Sequence, residues 1–338
     1  MSKDQVLGFL LANKGKPVSG EKIAAKFGIS RNSVWKAVQA LRTQGLVIDA
    51  ATNAGYMLRS EGSALTRAAV MRHIGAVSSL TVTVAGQVES TNMELKRQAE
   101  AGAAEGTVLI AEEQTGGKGR LGRSFYSPEQ TGLYMSLLLR PDFAPEDAVF
   151  ITVAAAVAVA QAMEAVAGVQ AGIKWVNDIY VSGKKVCGIL TEASMDFESA
   201  HLQYAVLGIG INVAEPQGGF PPEIAETAGA LFPPDMVPEG IKAKLAGEIL
   251  TRFMAMYRRL RERPFLEEYR RRSILTDCRI TFTQGAVRES GHVVGISEKA
   301  ELIVRLDDGG LRKYSSGEAV IEKEALKKIL KNQTGEAR

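Results

Sequence analysis

The chain has 338 residues, 46% hydrophobic and 23% charged, with a net charge of +3; this predicts an ordinary globular protein of two or three domains. Two distant cysteines (Cys187, Cys278) and three scattered histidines (His73, His201, His292) exclude a disulfide framework and any zinc-type spacing. They fit a reducing, cytoplasmic compartment. Residues 1–60 hold nine Lys and Arg against three Asp and Glu, a net +6 that leaves −3 for the rest. A basic module on a mildly acidic body points to a polyanion partner for that module alone. No signal peptide is visible at the start, and the alanine-dominated run 148–162 is too short and weakly apolar for a membrane span, so it reads as a buried helix.

In chain order, Val6, Leu7, Leu10 and Leu11 take helical spacing, and Gly15-Lys16-Pro17 breaks the helix. Ser19 can cap a short helix that ends at Gly28, and Ser30 a third helix that stops at Gly45. Val34, Trp35, Val38 and Leu41 read as the buried face of this third helix. Strands at 46–49 and 55–58 complete the order of a winged helix-turn-helix. Ser30, Arg31, Asn32, Ser33, Lys36 and Gln39 are the polar groups that could meet phosphates and base edges. A protein-interaction module with a solvated basic face is the alternative.

A strand over 82–88 leads through Glu89-Ser90-Thr91-Asn92 into a helix over 93–101, for which Ser90 or Thr91 is a natural cap. A strand over 107–113 follows, then the loop Gln114-Thr115-Gly116-Gly117-Lys118-Gly119-Arg120-Leu121-Gly122-Arg123. Its Gly117-to-Gly122 stretch matches G-x-G-x-x-G, yet the dinucleotide reading needs a helix to open there, and the next element, 132–139, reads as a strand. Glycines let backbone N–H groups face an anion, and Lys118, Arg120 and Arg123 add charge, so the loop suits a phosphate-bearing ligand. A flexible basic surface loop is the plainer alternative. No Walker A pattern occurs.

A helix over 145–167 precedes 173–181, read as one strand interrupted by Asn177-Asp178. An Asx turn or a buried polar network would also explain that pair. A turn at 182–184 returns the chain as the strand 185–192, and 205–213 is a further strand carrying Gly208 and Gly210. Residues 278–283, 292–296, 301–306 and 311–314 read as short strands at close spacing.

Six pieces in order, Glu89-Ser90-Thr91-Asn92, Gln114 with Gly117 to Arg123, Lys174-Trp175-Val176-Asn177-Asp178, Lys185-Val186-Cys187-Gly188-Ile189-Leu190, Gly208-Ile209-Gly210-Ile211-Asn212 and Gly317-Glu318, make the chain resemble the biotin protein ligases, in the bifunctional class that doubles as the biotin operon repressor. The resemblance implies a multi-domain α/β protein. Its parts would be a winged helix-turn-helix (1–62), a class II aminoacyl-tRNA-synthetase-like mixed-sheet ligase domain (63–273) and an SH3-like barrel with tail (274–338). It implies biotin contacts from Ser90, Thr91, Asn92, Gln114, Gly117, Lys118, Arg120, Lys185, Gly188 and Ile211. Lys118, Arg120, Arg123, Asn177, Lys185 and Asn212 would face ATP, and the segment 215–228 matches a loop that orders over the adenylate.

Chemically, the biotin carboxylate would attack the ATP α-phosphorus, with Lys185, Arg120, Arg123 and Mg²⁺ offsetting the anionic charge. No protein metal ligand is assigned, and Mg²⁺ would ride on the nucleotide phosphates. Asp178 would orient or deprotonate the acceptor lysine. The implied partners are a biotin carboxyl carrier domain of acetyl-CoA carboxylase or a related carboxylase, operator DNA, and a second copy in a ligand-promoted homodimer, with no membrane. Two positions depart from the family: Lys118 stands where arginine is frequent, and no arginine follows Gly317-Glu318. A ligand-sensing repressor without catalysis, a ligase with an idle helix-turn-helix, and a lipoate or octanoate transferase are the competing readings.

Overall fold

The computed structural model describes residues 2–43, 45–51, 55–60, 62, 64–75, 79–196, 201–285 and 287–321. The first module comprises α1 (Ser2–Ala12), α2 (Gly20–Phe27), α3 (Arg31–Thr43) and the antiparallel hairpin β1 (Val47–Ala51) and β2 (Gly55–Ser60). Ser19 Oγ accepts from Lys22 N at 3.1 Å, and Gly28 closes α2 in the left-handed conformation, φ 64°. Ser30 Oγ accepts from Ser33 N at 3.0 Å and so starts α3. The predicted order is therefore present. Trp35 departs from it: the buried face of α3 is Val34, Ala37, Val38 and Leu41, and Trp35 is 51% exposed. Small Ala37, rather than the indole, fits the interior of this compact three-helix arrangement.

The module's core, from Val6 to Ala64, is separate from the main core. Lys14 Nζ reaches Glu239 Oε1 of the body at 2.9 Å, and α4 (Arg67–Arg72) leads into the main body.

The body is a seven-stranded mixed sheet built on β3 (Thr81–Val88), β4 (Thr107–Gln114), β5 (Gly132–Leu139), β6 (Gly172–Lys174), β7 (Asp178–Val181), β8 (Lys184–Asp196) and β9 (His201–Asn212), in the order β3-β4-β5-β9-β8-β7-β6. Only the β3–β4 pair is parallel, joined by α5 (Thr91–Glu100). Alternate side chains divide the sheet's two faces. Leu133, Met135, Leu137, Leu207, Ile209 and Ile211 join a core with α6 (Val149–Ala167) and α7 (Ile241–Tyr257). Leu138, Tyr204 and Val206 face the other way, onto Leu95 and Ala99 of α5.

Among the described residues one helical stretch, Pro145–Ala167, has the length and composition to cross a membrane; 72% of its most apolar window is buried inside the fold, as a core helix requires. Its first turn, Pro145–Ala148, is 3-10. The span 173–181 is not one strand. It folds into an antiparallel β6–β7 hairpin with Lys174 opposite Asp178, because Trp175 leaves the sheet to donate its indole N–H to Ala300 O at 2.8 Å.

After α8 (Leu266–Arg271) come β10 (Arg279–Gln284), β11 (Val287–Ile296), β12 (Leu302–Leu306), β13 (Leu311–Tyr314) and β14 (Glu318–Ile321). They form an antiparallel sheet in the order β13-β12-β11-β10-β14; the fifth strand, β14, is not evident in the sequence. The part of the predicted C-terminal unit beyond residue 321 lies outside the described residues.

Candidate active-site cleft and nucleic-acid interface

Glycines make the floor of a cleft on the α5 side of the sheet. Gly188, Gly208 and Gly210 lie on paired strands, Gly188 opposite Gly210. A Cβ at Gly210 would stand 2.6 Å from the Phe125 ring, and one at Gly208 would stand 2.2 Å from Asn92 Oδ1. The missing side chains are what allow Phe125 and Asn92 to lie against the backbone. The cleft is open to solvent.

One end is a buried polar network around the start of α5. Ser90, the residue before the helix, makes no capping bond with its side chain. Gln114 takes that part instead: its Oε1 accepts from Thr91 N at 2.9 Å and from Thr91 Oγ1 at 3.0 Å, while its Nε2 donates to Ser127 Oγ at 3.0 Å. Asn92 Oδ1 accepts from Ser136 Oγ at 2.6 Å, and Asn92 Nδ2 donates to Glu192 Oε2 at 2.8 Å. Lys96 pairs with Glu192, and the hydrogen bonds from Lys96 and Asn92 hold that carboxyl below its usual value against the opposing effect of burial. Ser90, Thr91 and Asn92 are each under 5% exposed, so this end is a buried, hydrogen-bonded network.

The other end gathers cations. Lys118, Arg120, Arg123, Lys174 and Lys185 all line the cleft. Arg120 Nη1 donates to Asn177 Oδ1 at 3.1 Å, and Asn177 Nδ2 donates to Ile189 O at 2.9 Å. Lys185 Nζ lies 2.7 Å from Asp178 Oδ1, an ion-pair approach without hydrogen-bond alignment, since that buried oxygen has no aligned donor. Arg123 forks onto Glu318 at 2.9 and 2.5 Å. That pairing holds the Glu318 carboxyl below its ordinary value against burial. Burial drives the Lys174 ammonium down, while Asp178 and Glu318 partly restore it and Lys185 and Arg123 oppose it further. Five lining cations against two lining carboxylates, Asp178 and Glu318, leave a site that attracts anions. Among the described residues no group of three or more His, Cys, Asp and Glu side chains could hold a metal ion.

Ser90, Thr91, Asn92, Gln114, Lys118, Arg120, Arg123, Asn177, Asp178, Lys185 and Gly188 thus line one cleft. Three predicted residues do not. Ile211 is fully buried among the helices on the opposite face, because strand alternation turns its neighbour Gly210 to the cleft. Gly117 lies beneath the lining, where a Cβ would come 2.5 Å from both Phe125 O and Ser127 Oγ. Asn212 ends β9 and donates to Gly229 O at 2.9 Å, fastening the segment that follows. That segment also pairs with the cleft: Lys185 N donates to Thr227 O at 2.8 Å, and Gly229 N to Lys185 O at 2.9 Å. Gly208 and Gly210, whose lack of side chains suggests close approach of a ligand, do line the cleft. Sequence reasoning missed Phe125 and Lys174 as lining residues, and Glu318, marked only as part of the family pattern, was given no place in the site. The glycine-arginine loop leads through a three-residue 3-10 turn, Arg120–Gly122, into antiparallel β5, which bears out rejection of a dinucleotide helix.

On the first module, Ser30, Arg31, Asn32 and Lys36 are exposed along the start of α3, with Ser33 and Gln39 half-buried. Arg42 ties the hairpin to this helix by donating to Ile48 O from Nε at 2.9 Å.

Known proteins match both parts. The Biotin/lipoate A/B protein ligase family matches residues 84–212, and an HTH domain family matches residues 3–57. The chain is 34% identical to the bifunctional ligase/repressor BirA of Bacillus spizizenii over 314 residues, 88% of this chain and 92% of the relative. It is 31% identical to that of Escherichia coli over 206 residues, 61% of this chain and 62% of the relative. A biotin protein ligase from Aquifex aeolicus, solved in complex with biotin and ATP, superposes with a TM-score of 0.59 at 29% identity, over 72% of this chain and 98% of that one. With the helix-turn-helix, the glycine-floored sheet and this extent of identity all present in one chain, the protein belongs to the biotin protein ligases, in their bifunctional ligase and repressor class.

Proposed function

We propose that the chain activates biotin with ATP to biotinyl-5′-AMP, transfers biotin to a lysine of a biotin carboxyl carrier domain, and represses biotin genes by binding operator DNA when the adenylate is present. The observation that carries this reading is the cleft itself, which joins a buried polar network to a group of lining cations. The recess of Ser90, Thr91, Asn92 and Gln114 suits the neutral, hydrogen-bonding head of biotin, with Gly208 and Gly210 taking the lining role expected of Ile211. Lys185 takes the carboxylate, and Lys118, Arg120 and Arg123 the phosphates. Two anions must meet for the carboxylate oxygen to attack the α-phosphorus and expel pyrophosphate. Preorganised cations offset that repulsion where it is greatest. The mixed anhydride hydrolyses in water, and the backbone pairing of Thr227, in segment 215–228, to Lys185 supports the segment's closing over the product. Asp178, released from Lys185 once that ammonium binds the ligand, accepts the proton of the incoming lysine amine. Mg²⁺ would accompany the nucleotide phosphates, whose charge it would share with the lining cations.

Several finer readings belong with it. Residues 1–62, 63–273 and 274–338 are the DNA-binding, catalytic and C-terminal domains. Short antiparallel strands support an SH3-like C-terminal unit, and the helix-backed antiparallel sheet supports a class II synthetase-like centre. Adenylate binding promotes a homodimer. ATP, a carrier protein and operator DNA as partners support a cytoplasmic location.

The test is pyrophosphate release from ATP with biotin, and separately with lipoate, in the presence and absence of an acceptor domain. Biotin-dependent release with a biotinylated acceptor is expected. Release with lipoate alone would move the chain to the lipoate branch of its family.

A further inference from the structure

The 3.6-residue repeat of α3 sets Trp35 toward one edge of the helix's exposed arc, with Arg31 and Arg42 on its buried side and Gln39, Asn32 and then Lys36 toward the arc's middle. A single exposed apolar residue is ordinary. This one is the largest side chain on that arc and is 51% exposed among polar and cationic neighbours. It is also held in place. With the Gln39 amide oxygen facing the indole, Trp35 Nε1 donates to it at 3.3 Å, and the same oxygen accepts from Arg42 Nη1 at 3.3 Å. Arg42 is in turn fixed to the hairpin through Ile48 O. The ring is therefore preset by the helix and the wing together. Its N–H is already used, so what it offers a partner is apolar surface.

The charge around it favours a nucleic acid over a protein: residues 1–60 carry net +6, and Arg31 and Lys36 lie on the same exposed arc of the helix. In a duplex major groove the one apolar base group is the thymine C5-methyl. We propose that Trp35 reads a thymine in the operator by packing its indole against that methyl, while Arg31 and Lys36 hold phosphates. This rests on the DNA-binding reading above and deepens it from a basic face to one base.

The full-length protein, with biotin and ATP present, is used to enrich binding sequences from a random duplex pool, beside Trp35→Ala and Trp35→Phe. Each thymine of the wild-type sequence is then replaced by deoxyuridine, which removes only the methyl. One such replacement is expected to weaken wild-type binding about fivefold or more. It should leave Trp35→Ala unchanged and affect Trp35→Phe to an intermediate degree. The salt dependence of Trp35→Ala should equal that of wild type, because no phosphate contact is lost. Enrichment of the same sequence at the same affinity by Trp35→Ala overturns the proposal, as does insensitivity of the wild type to every deoxyuridine. A wild-type protein that enriches no sequence overturns the DNA-binding reading, and the proposal with it.

Discussion

Arg123, in the glycine-rich loop, and Glu318, on the last described strand, form a two-pronged ion pair across the mouth of the cleft. The arginine assigned to the ATP phosphates is thus already holding a carboxylate. On the proposed role of Arg123, ATP would displace Glu318 to reach it. Both side chains are substantially exposed, so the pair contributes about 0–1 kcal/mol to stability. Glu318→Gln is expected to leave the melting temperature nearly unchanged and to lower KM for ATP by up to about fivefold, the equivalent of ~1 kcal/mol. Pyrophosphate release against ATP concentration measures this. An unchanged or higher KM would count against competition between the carboxylate and ATP.

Lys185 and Asp178 should separate by half-reaction. Lys185→Gln removes a preorganised charge from the first step and should cut adenylate formation by about 10²–10³-fold. Asp178→Ala should still make adenylate in a single turnover but pass biotin to the acceptor about 10²–10⁴-fold more slowly. Transfer at the wild-type rate would remove Asp178 from its role.

Gly208→Ala places a methyl 2.2 Å from Asn92 Oδ1, a group already fixed by Ser136 and Glu192. Overpacking of this kind costs about 1–3 kcal/mol. Titration of biotin binding by calorimetry should show a clear loss of affinity, and urea unfolding a lower midpoint. A variant with wild-type biotin affinity would mean that the Asn92 network does not shape the biotin recess.

Arg272, with its side chain 7% exposed, donates to Glu164 at 2.5 and 2.8 Å and to Glu268 at 2.6 Å, joining α6 to α8. Hydrogen bonds from Arg271 and Arg272 hold Glu268 down to about 2, and the Arg272 bond lowers Glu164. Both folded-state values lie below the ordinary glutamate value of about 4.3. Their stabilisation is therefore present in full above that value and is lost as pH falls through the folded values toward about 2. Arg272→Met should cost about 2–3 kcal/mol at neutral pH, less than a fully buried pair because the carboxylates are partly exposed. It should also flatten the melting-temperature profile below about pH 4.5. An unaltered acid profile would show that these carboxylates are not linked to folding through Arg272.

Much of this architecture could be read from residue order, because the signals were local. Ser19 and Gly28 bracket α2, Ser30 starts α3, and the glycine loop between 114 and 132 joins two strands as its composition suggests. The misreadings came from packing that no local pattern contains. Periodicity alone set Trp35 beside Val34 in the core; the fold buries Ala37 there instead. Ile211 belongs to the right strand but faces the wrong side, which depends on the register of β9. Residues 173–181 looked continuous because the partner that draws Trp175 out of line, Ala300, is 125 residues away. Glu318 enters the site for the same reason, across 195 residues from Arg123.

Trp175, which reaches into the C-terminal sheet, also bears on how the protein comes apart. Its ring stands 6.2 Å from that of Phe282, which stacks in turn on Tyr314 at 3.8 Å, and all three belong to the core of the seven-stranded sheet. The interior of the C-terminal strands is therefore continuous with that of the body, whereas the first module keeps a separate one. Heat should resolve two cooperative units rather than three. A chain cut near residue 274 would lose the ligase body along with the strands removed, since the cut runs through a shared interior rather than along a seam.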